Sequence, residues 1–230
     1  MPQPPKSPSP RDAAQRDLDG LVVTMELTLI SIIQGIALYF LTETSRAVLI
    51  NGQIILWPYV LTGLLFVLLF WSRALLHTLT VIRWPLEFGH NFLYIACTFL
   101  QAVMFTRIPE PRDWYLIGAI YTAALWVLFV IDMGMIRHRF QDSTSAESPQ
   151  LLGILRREQL LHITLGMPAV AIFFVASTVA IHLWPEVMID GGGHVVLALA
   201  QLASVIVYMW HTLRFYRQIS PLILANRQSG

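Results

Sequence analysis

Glu26, Arg73 and Asp132 are the charged side chains that fall inside long apolar runs of this 230-residue chain. A lone charge surrounded by hydrocarbon costs several kcal/mol unless it reaches the interface or meets a partner. All three lie roughly one to two helical turns from one shared boundary of their runs. That common depth predicts an ion-paired cluster in which Arg73 neutralises Glu26, Asp132 or both. The same residues could instead form a vestibule that attracts cations.

Uncharged polar side chains form stripes at helical spacing. Thr24, Thr28, Ser31, Gln34 and Gly35 make the first and are the pore-lining candidates. Its Gln34-Gly35 step sets a side-chain amide beside bare backbone. His90, Tyr94, Cys97, Thr98 and Gln101 make a second stripe, and Gln201, Ser204, Tyr208 and His211 a third. Such stripes can line a water path, because hydroxyls and amides replace part of an ion's hydration shell. They can equally join helices by hydrogen bonds worth about 0.6–2 kcal/mol each.

Five histidines, His77, His90, His138, His162 and His211, map to one half of the predicted spans or its surface, and His182 and His194 to the other. His90 with His211 could supply the two imidazoles of a b-type haem. Interfacial histidines more often pack or meet headgroups, though an imidazole also titrates near neutrality. The single cysteine, Cys97, builds no disulfide or thiol metal site, and no metal centre is expected. Lys6 is the only lysine and precedes every span, so no retinal Schiff base can form in the membrane. Walker A, dinucleotide, HExxH and GxSxG patterns are all absent, as is a Thr-Val-Gly-Tyr-Gly potassium filter. No acid, base and nucleophile set suggests an enzyme.

The elements that must hold these residues are membrane helices. The chain is 56% hydrophobic and 13% charged, where soluble domains carry about 25% charged residues. Six apolar stretches approach the roughly 20 residues a bilayer core demands: Leu21–Leu41, Ile54–Leu76, Phe88–Phe105, Trp114–Ile136, Leu160–Trp184 and His194–Phe215. Period-2 alternation is missing, so the expected fold is all-α, a polytopic six-helix bundle. Pro168 should kink the fifth helix by freeing the Thr164 carbonyl.

Basic residues orient the bundle. The N-terminus, the second and fourth connections and the C-terminus hold all of them except Arg46, Arg107 and Arg112. Positive charge is retained inside, so both termini are expected in the cytoplasm. Trp57, Tyr59, Trp114, Tyr115 and Trp184 then mark the outer interface, and Trp71, Trp84 and Trp210 the inner one. Residues 1–17 read as a disordered proline-rich tail, with no cleavable signal peptide. Residues 18–217 form the membrane domain and 218–230 a C-terminal tail. The long polar connection, residues 137–158, is assigned to the cytoplasm. Leu151, Leu152, Ile154 and Leu155 within it form either a short interfacial helix or the start of helix five. A net charge of +1 implies no nucleic-acid partner.

The layout resembles the bacterial branch of the lysosomal-type potassium channel family (transmembrane protein 175-like). The resemblance is carried by a first helix with a polar face, Trp71 and His77 closing helix two, Asn91 early in helix three and Tyr121 in helix four. The family's Phe-Ser-Asp hallmark is not present; Arg16 and Asp19-Gly20 are its nearest echo. The resemblance implies six helices, cytoplasmic termini and a homo-oligomer whose first helices line a filterless cation pore. Three functions stand as expectations. One is a passive, potassium-type cation channel. Another is a non-catalytic subunit or scaffold whose partner binds residues 137–158 or the C-terminal basic segment. The third is a haem electron carrier. The expected location is the cytoplasmic membrane of a bacterium, with the lipid bilayer as the constant partner.

Overall fold

A computed structural model describes residues 10–80, 88–141 and 149–229. The first nine residues of the predicted tail, Arg83 and Trp84, and residues 142–148 of the polar connection lie outside them. The described chain is all-α. Its helices are α1 Pro10–Ile50, α2 Trp57–Thr80, α3 Phe88–Thr106, α4 Pro111–Gln141, α5 Pro149–Leu161, α6 Met167–Leu183 and α7 Gly193–Ser229. A 3-10 turn, Ile54–Leu56, precedes α2, and π turns at His162–Gly166 and Glu186–Asp190 flank α6.

Six helical stretches are long and apolar enough to cross a membrane: Asp17–Ile50, Ile54–Thr78, Phe88–Thr106, Pro111–His138, Gln150–Leu183 and Gly193–Ile223. The protein is therefore read as a multi-pass membrane protein. Several helices outrun their apolar windows. Residues 10–17 of the predicted tail already belong to α1, and α7 continues through the predicted C-terminal tail. The first helix ends where Gly52 takes φ +64. There the Gly52 N–H donates to the Leu49 carbonyl (3.1 Å) and the Gln53 N–H to that of Val48 (3.0 Å). This left-handed cap needs a residue without Cβ, and it satisfies carbonyls that would otherwise stay orphaned in an apolar setting.

Of the two readings of Leu151–Leu155, the second holds. Helix α5 runs through the π turn into α6 as one membrane span. The irregularity expected from Pro168 takes the form of that π turn. Proline lacks the N–H for Thr164, and one widened turn absorbs the mismatch without stopping the helix.

Helix α1 packs on α2 and α3, α3 on α4, α4 on α5 and α6, and α2 on α7. The third helix is central: half of its apolar window is buried, against 17% for the fifth span. Three packed regions result, of which a middle one holds Ile30, Phe70, Tyr94, Cys97, Tyr121 and Leu128. Another holds Tyr59, Phe105, Ile108, Trp114, Tyr115, Phe174 and Ile181, and we call it the aromatic end. The third, where α2 finishes and α3 begins, holds Leu76, Ile136, Leu151, Leu155 and Ile219. It is the basic end, near Arg73, Arg137 and Arg156. At the aromatic end α4 and α6 approach through Gly118, where a Cβ would collide with the Phe174 ring.

Candidate functional site: a histidine and carboxylate cluster inside the bundle

Antiparallel crossing brings the last turn of α2, the first turn of α3 and the later part of α4 to the basic end. His77, His90 and Asp132 stand on those three segments and face one another. Asp132 Oδ1 lies 2.9 Å from His90 Nδ1 and 3.6 Å from His77 Nε2. The imidazoles stack with centroids 5.1 Å apart. His90 and Asp132 are buried, and the His77 side chain is 12% exposed. None of the three facing atoms completes a hydrogen bond among the described residues. Buried polar atoms are rarely left in that state.

One helix away, buried Glu26 on α1 accepts a 2.6 Å hydrogen bond from Asn91 Nδ2, next in sequence to His90. A second cluster forms where α5 meets the π turn. Glu158 Oε1 lies 3.6 Å from His211 Nδ1 on α7 and 3.8 Å from His162 Nδ1. His162 Nδ1 is also 2.7 Å from the Glu158 carbonyl. The widened turn sets His162 inward, against the rings of Phe129, Tyr208 and His211. Arg73 lies between the two clusters. Its guanidinium donates to Gln159 Oε1 (3.1 Å) and rests over the Phe129 ring, 5.4 Å from the centroid. Gln159 in turn donates to the Phe129 carbonyl (2.9 Å).

Both clusters border one cavity of about 350 Å³. Glu26, Asp132, Glu158, Arg73, His77 and His90 line it, amid apolar walls that include Phe70, Tyr94 and Tyr121. Val170 and Ser204, both exposed, line it as well, so it reaches the surface between α6 and α7. The three donor atoms of His77, His90 and Asp132 lie within 4.8 Å of one another and could hold a metal ion.

The expected charge cluster forms with different pairings. Glu26, Arg73 and Asp132 do line one cavity, but Arg73 pairs with Gln159 and makes no ion pair with either carboxylate. The Asn91 amide takes that position beside Glu26, where it satisfies a buried carboxylate without desolvating a second full charge, and two imidazoles stand beside Asp132.

The first-helix stripe divides. Thr24, Thr28, Ser31 and Gly35 are exposed on the outer face of α1, and the three hydroxyls donate to the carbonyls of Gly20, Thr24 and Leu27 (2.8–2.9 Å). Gln34 is buried instead, its Nε2 3.2 Å from Thr98 Oγ1 and 3.4 Å from the Tyr94 hydroxyl. At 100° per residue Gln34 sits about 90° round the helix from the centre of the other four, which is enough to turn it inward. The third-helix stripe stays together: His90, Tyr94, Cys97, Thr98 and Gln101 are all buried. In the last stripe Gln201 is buried, Tyr208 and His211 are part-buried and Ser204 is exposed. His90 and His211 are held in separate clusters and do not form a facing pair.

The outer aromatic belt is also corrected. Trp57 is part-buried and Trp184 exposed, but Tyr59, Trp114 and Tyr115 are fully buried. The Tyr59 hydroxyl lies 3.0 Å from His194 Nδ1 and donates to the His194 carbonyl (2.9 Å), while Trp114 Nε1 donates to Gln201 Oε1 (3.1 Å). Partners inside the bundle replace the headgroups these rings were expected to meet. Trp71 and Trp210, placed at the inner interface, are exposed.

Sequence reading missed the roles of His77, Asn91, Glu158, Gln159 and His162. The available signal was depth: each lies near a helix end that alternating crossing brings to one side. Compared with known proteins, the chain matches no family model, no curated sequence and no solved structure.

Proposed function

We propose that this multi-pass membrane protein conducts or transports a cation, and that the ion's path runs through the interior cavity. One observation carries this reading: the cavity is lined by three carboxylates, Glu26, Asp132 and Glu158, against the single guanidinium of Arg73. The carboxylates outnumber the guanidinium, and in a low-dielectric wall that excess of acidic groups draws cations strongly. Intramembrane ionisable residues arranged this way mark ion and proton pathways. The two histidine–carboxylate clusters supply stepping points on either side of Arg73.

A pore formed between copies by α1, as the family resemblance implies, is the second reading. The outward row of Thr24, Thr28, Ser31 and Gly35 favours it, since the hydroxyl oxygens keep lone pairs free for water. Cation flux in proteoliposomes separates the two. The interior path predicts that Asp132→Asn lowers flux by about tenfold or more, because the net negative charge of the cavity lining is halved. It also predicts that Ser31→Trp, on the outer face, leaves flux intact. Block by Ser31→Trp with normal flux in Asp132→Asn would overturn it in favour of the inter-subunit pore. Under the interior reading the cytoplasmic membrane of a bacterium is the proposed location and a homo-oligomer the proposed assembly.

A further inference from the structure

We infer that His77, His90 and Asp132 form a binding site for one divalent transition-metal ion. The donors come from three helices, α2, α3 and α4, yet their ligating atoms gather within 4.8 Å. Two ligands each about 2.1 Å from one ion stand about 3–4 Å apart. The Asp132–His77 separation of 3.6 Å and the Asp132–His90 separation of 2.9 Å approach that spacing. Two imidazole nitrogens and one carboxylate oxygen suit zinc and its first-row neighbours, and disfavour calcium or magnesium, which prefer all-oxygen sites.

The second observation concerns hydrogen bonding. His90 Nδ1, His77 Nε2 and Asp132 Oδ1 are buried, and among the described residues they meet no hydrogen-bond partner outside the triad itself. At the other end Tyr59 answers His194 and Trp114 answers Gln201, while the buried Gln101 amide also lacks a partner among the described residues, so what sets the triad apart is that its three atoms gather at one point. The Arg73 guanidinium is engaged by Gln159 and Phe129 and donates no hydrogen bond to the triad among the described residues. The triad also borders the cavity, so positions beyond the three protein ligands open to water or a moving ion. Three ligands with an open side distinguish working sites from closed structural ones. The fixed Glu26–Asn91 pair adds a carboxylate to the same wall.

The inference names the ion class for the proposed cation path and rests on that reading for its physiological sense, whereas binding itself is tested separately. Tag-free protein in detergent is stripped with a chelator, dialysed against cobalt(II) and assayed for metal per chain and for visible ligand-field absorption. One cobalt per chain is expected, with the absorption of mixed nitrogen and oxygen ligation. His90→Ala and Asp132→Ala should weaken cobalt binding by more than about 100-fold, beyond the cost of losing a merely outer partner. His182→Ala, an exposed histidine near the end of α6 and outside the cavity, should bind as the parent chain does. A parent chain that takes up no cobalt, or alanine variants that load like it, overturns the site. If the variants do not fold, proton NMR of the cobalt-loaded parent decides: two paramagnetically shifted imidazoles are expected, and their absence overturns it. Stoichiometric cobalt without any flux sinks the transport reading alone. Flux that depends on Asp132 without cobalt binding sinks the metal site alone.

Discussion

The two ends of the bundle bury polar groups in opposite ways. At the aromatic end, large rings interlock around Trp114, Tyr59, Phe105 and Phe174, and among the described residues no carboxylate or guanidinium is buried there. Tyr59 answers His194, and Trp114 answers Gln201. Its surface charges are neutralised locally, Arg46 by Glu43 and Arg107 by Glu110 and Asp113. At the basic end, carboxylates and imidazoles crowd a cavity, and several polar atoms face each other without bonding. Close packing with answered hydrogen bonds stabilises a membrane bundle, where water cannot drive helices together. Unanswered polar atoms around a cavity do the reverse, and they persist where a ligand can answer them. The aromatic end is the more closely packed of the two, and the cavity of the basic end, which reaches as far as Phe174 and Gln201, is where the proposed cation path runs.

The comparison breaks most readily at Phe174, which is fully enclosed where α4 and α6 meet over Gly118. Phe174→Ala should cost about 3–5 kcal/mol, the usual loss for emptying a packed aromatic site. It would be read as a large fall in melting temperature in detergent. A small fall would mean that the aromatic end does not carry the fold.

A smaller effect belongs to Arg73. Arg73→Leu removes a charged hydrogen bond to Gln159 and a ring contact, and should cost about 1.5–3 kcal/mol. Adding Asp132→Asn should give no rescue, because the two are not paired. Recovery of stability in the double variant would restore the Arg73–Asp132 pairing expected from sequence.

The mildest change is Trp114→Phe, which deletes the bond to Gln201 while keeping the ring stack. A loss of about 0.6–1.7 kcal/mol is expected, the range for hydrogen bonds between membrane helices. Adding Gln201→Leu should recover part of it, since the orphaned amide goes with its partner. Loss of ion binding in Trp114→Phe would show that the two ends are coupled and not separate in role.

Much of the site was legible as depth and little of it as partnership. Glu26, Arg73 and Asp132 do share one cavity, as equal distance from a boundary implied. What depth could not give was direction. His77 reads as one more interfacial histidine until α2 and α3 are placed side by side. His162 turns inward because a π turn shifts its register, and no periodicity of 3.6 reports a local insertion of that kind. Gln34 was grouped with Ser31 by neighbourhood in sequence, though its own angle round α1 points it to Tyr94 and Thr98.

The sequence by itself determined six membrane helices in an all-α chain. Hydrocarbon thickness acts on each segment alone, and every backbone hydrogen bond of a helix closes within it. Only the tertiary structure decided which imidazoles meet Asp132, which amide holds Arg73 and which face of α1 turns outward. Those choices follow from how separate helices rotate and dock against one another, and a chain read one segment at a time contains no term for that.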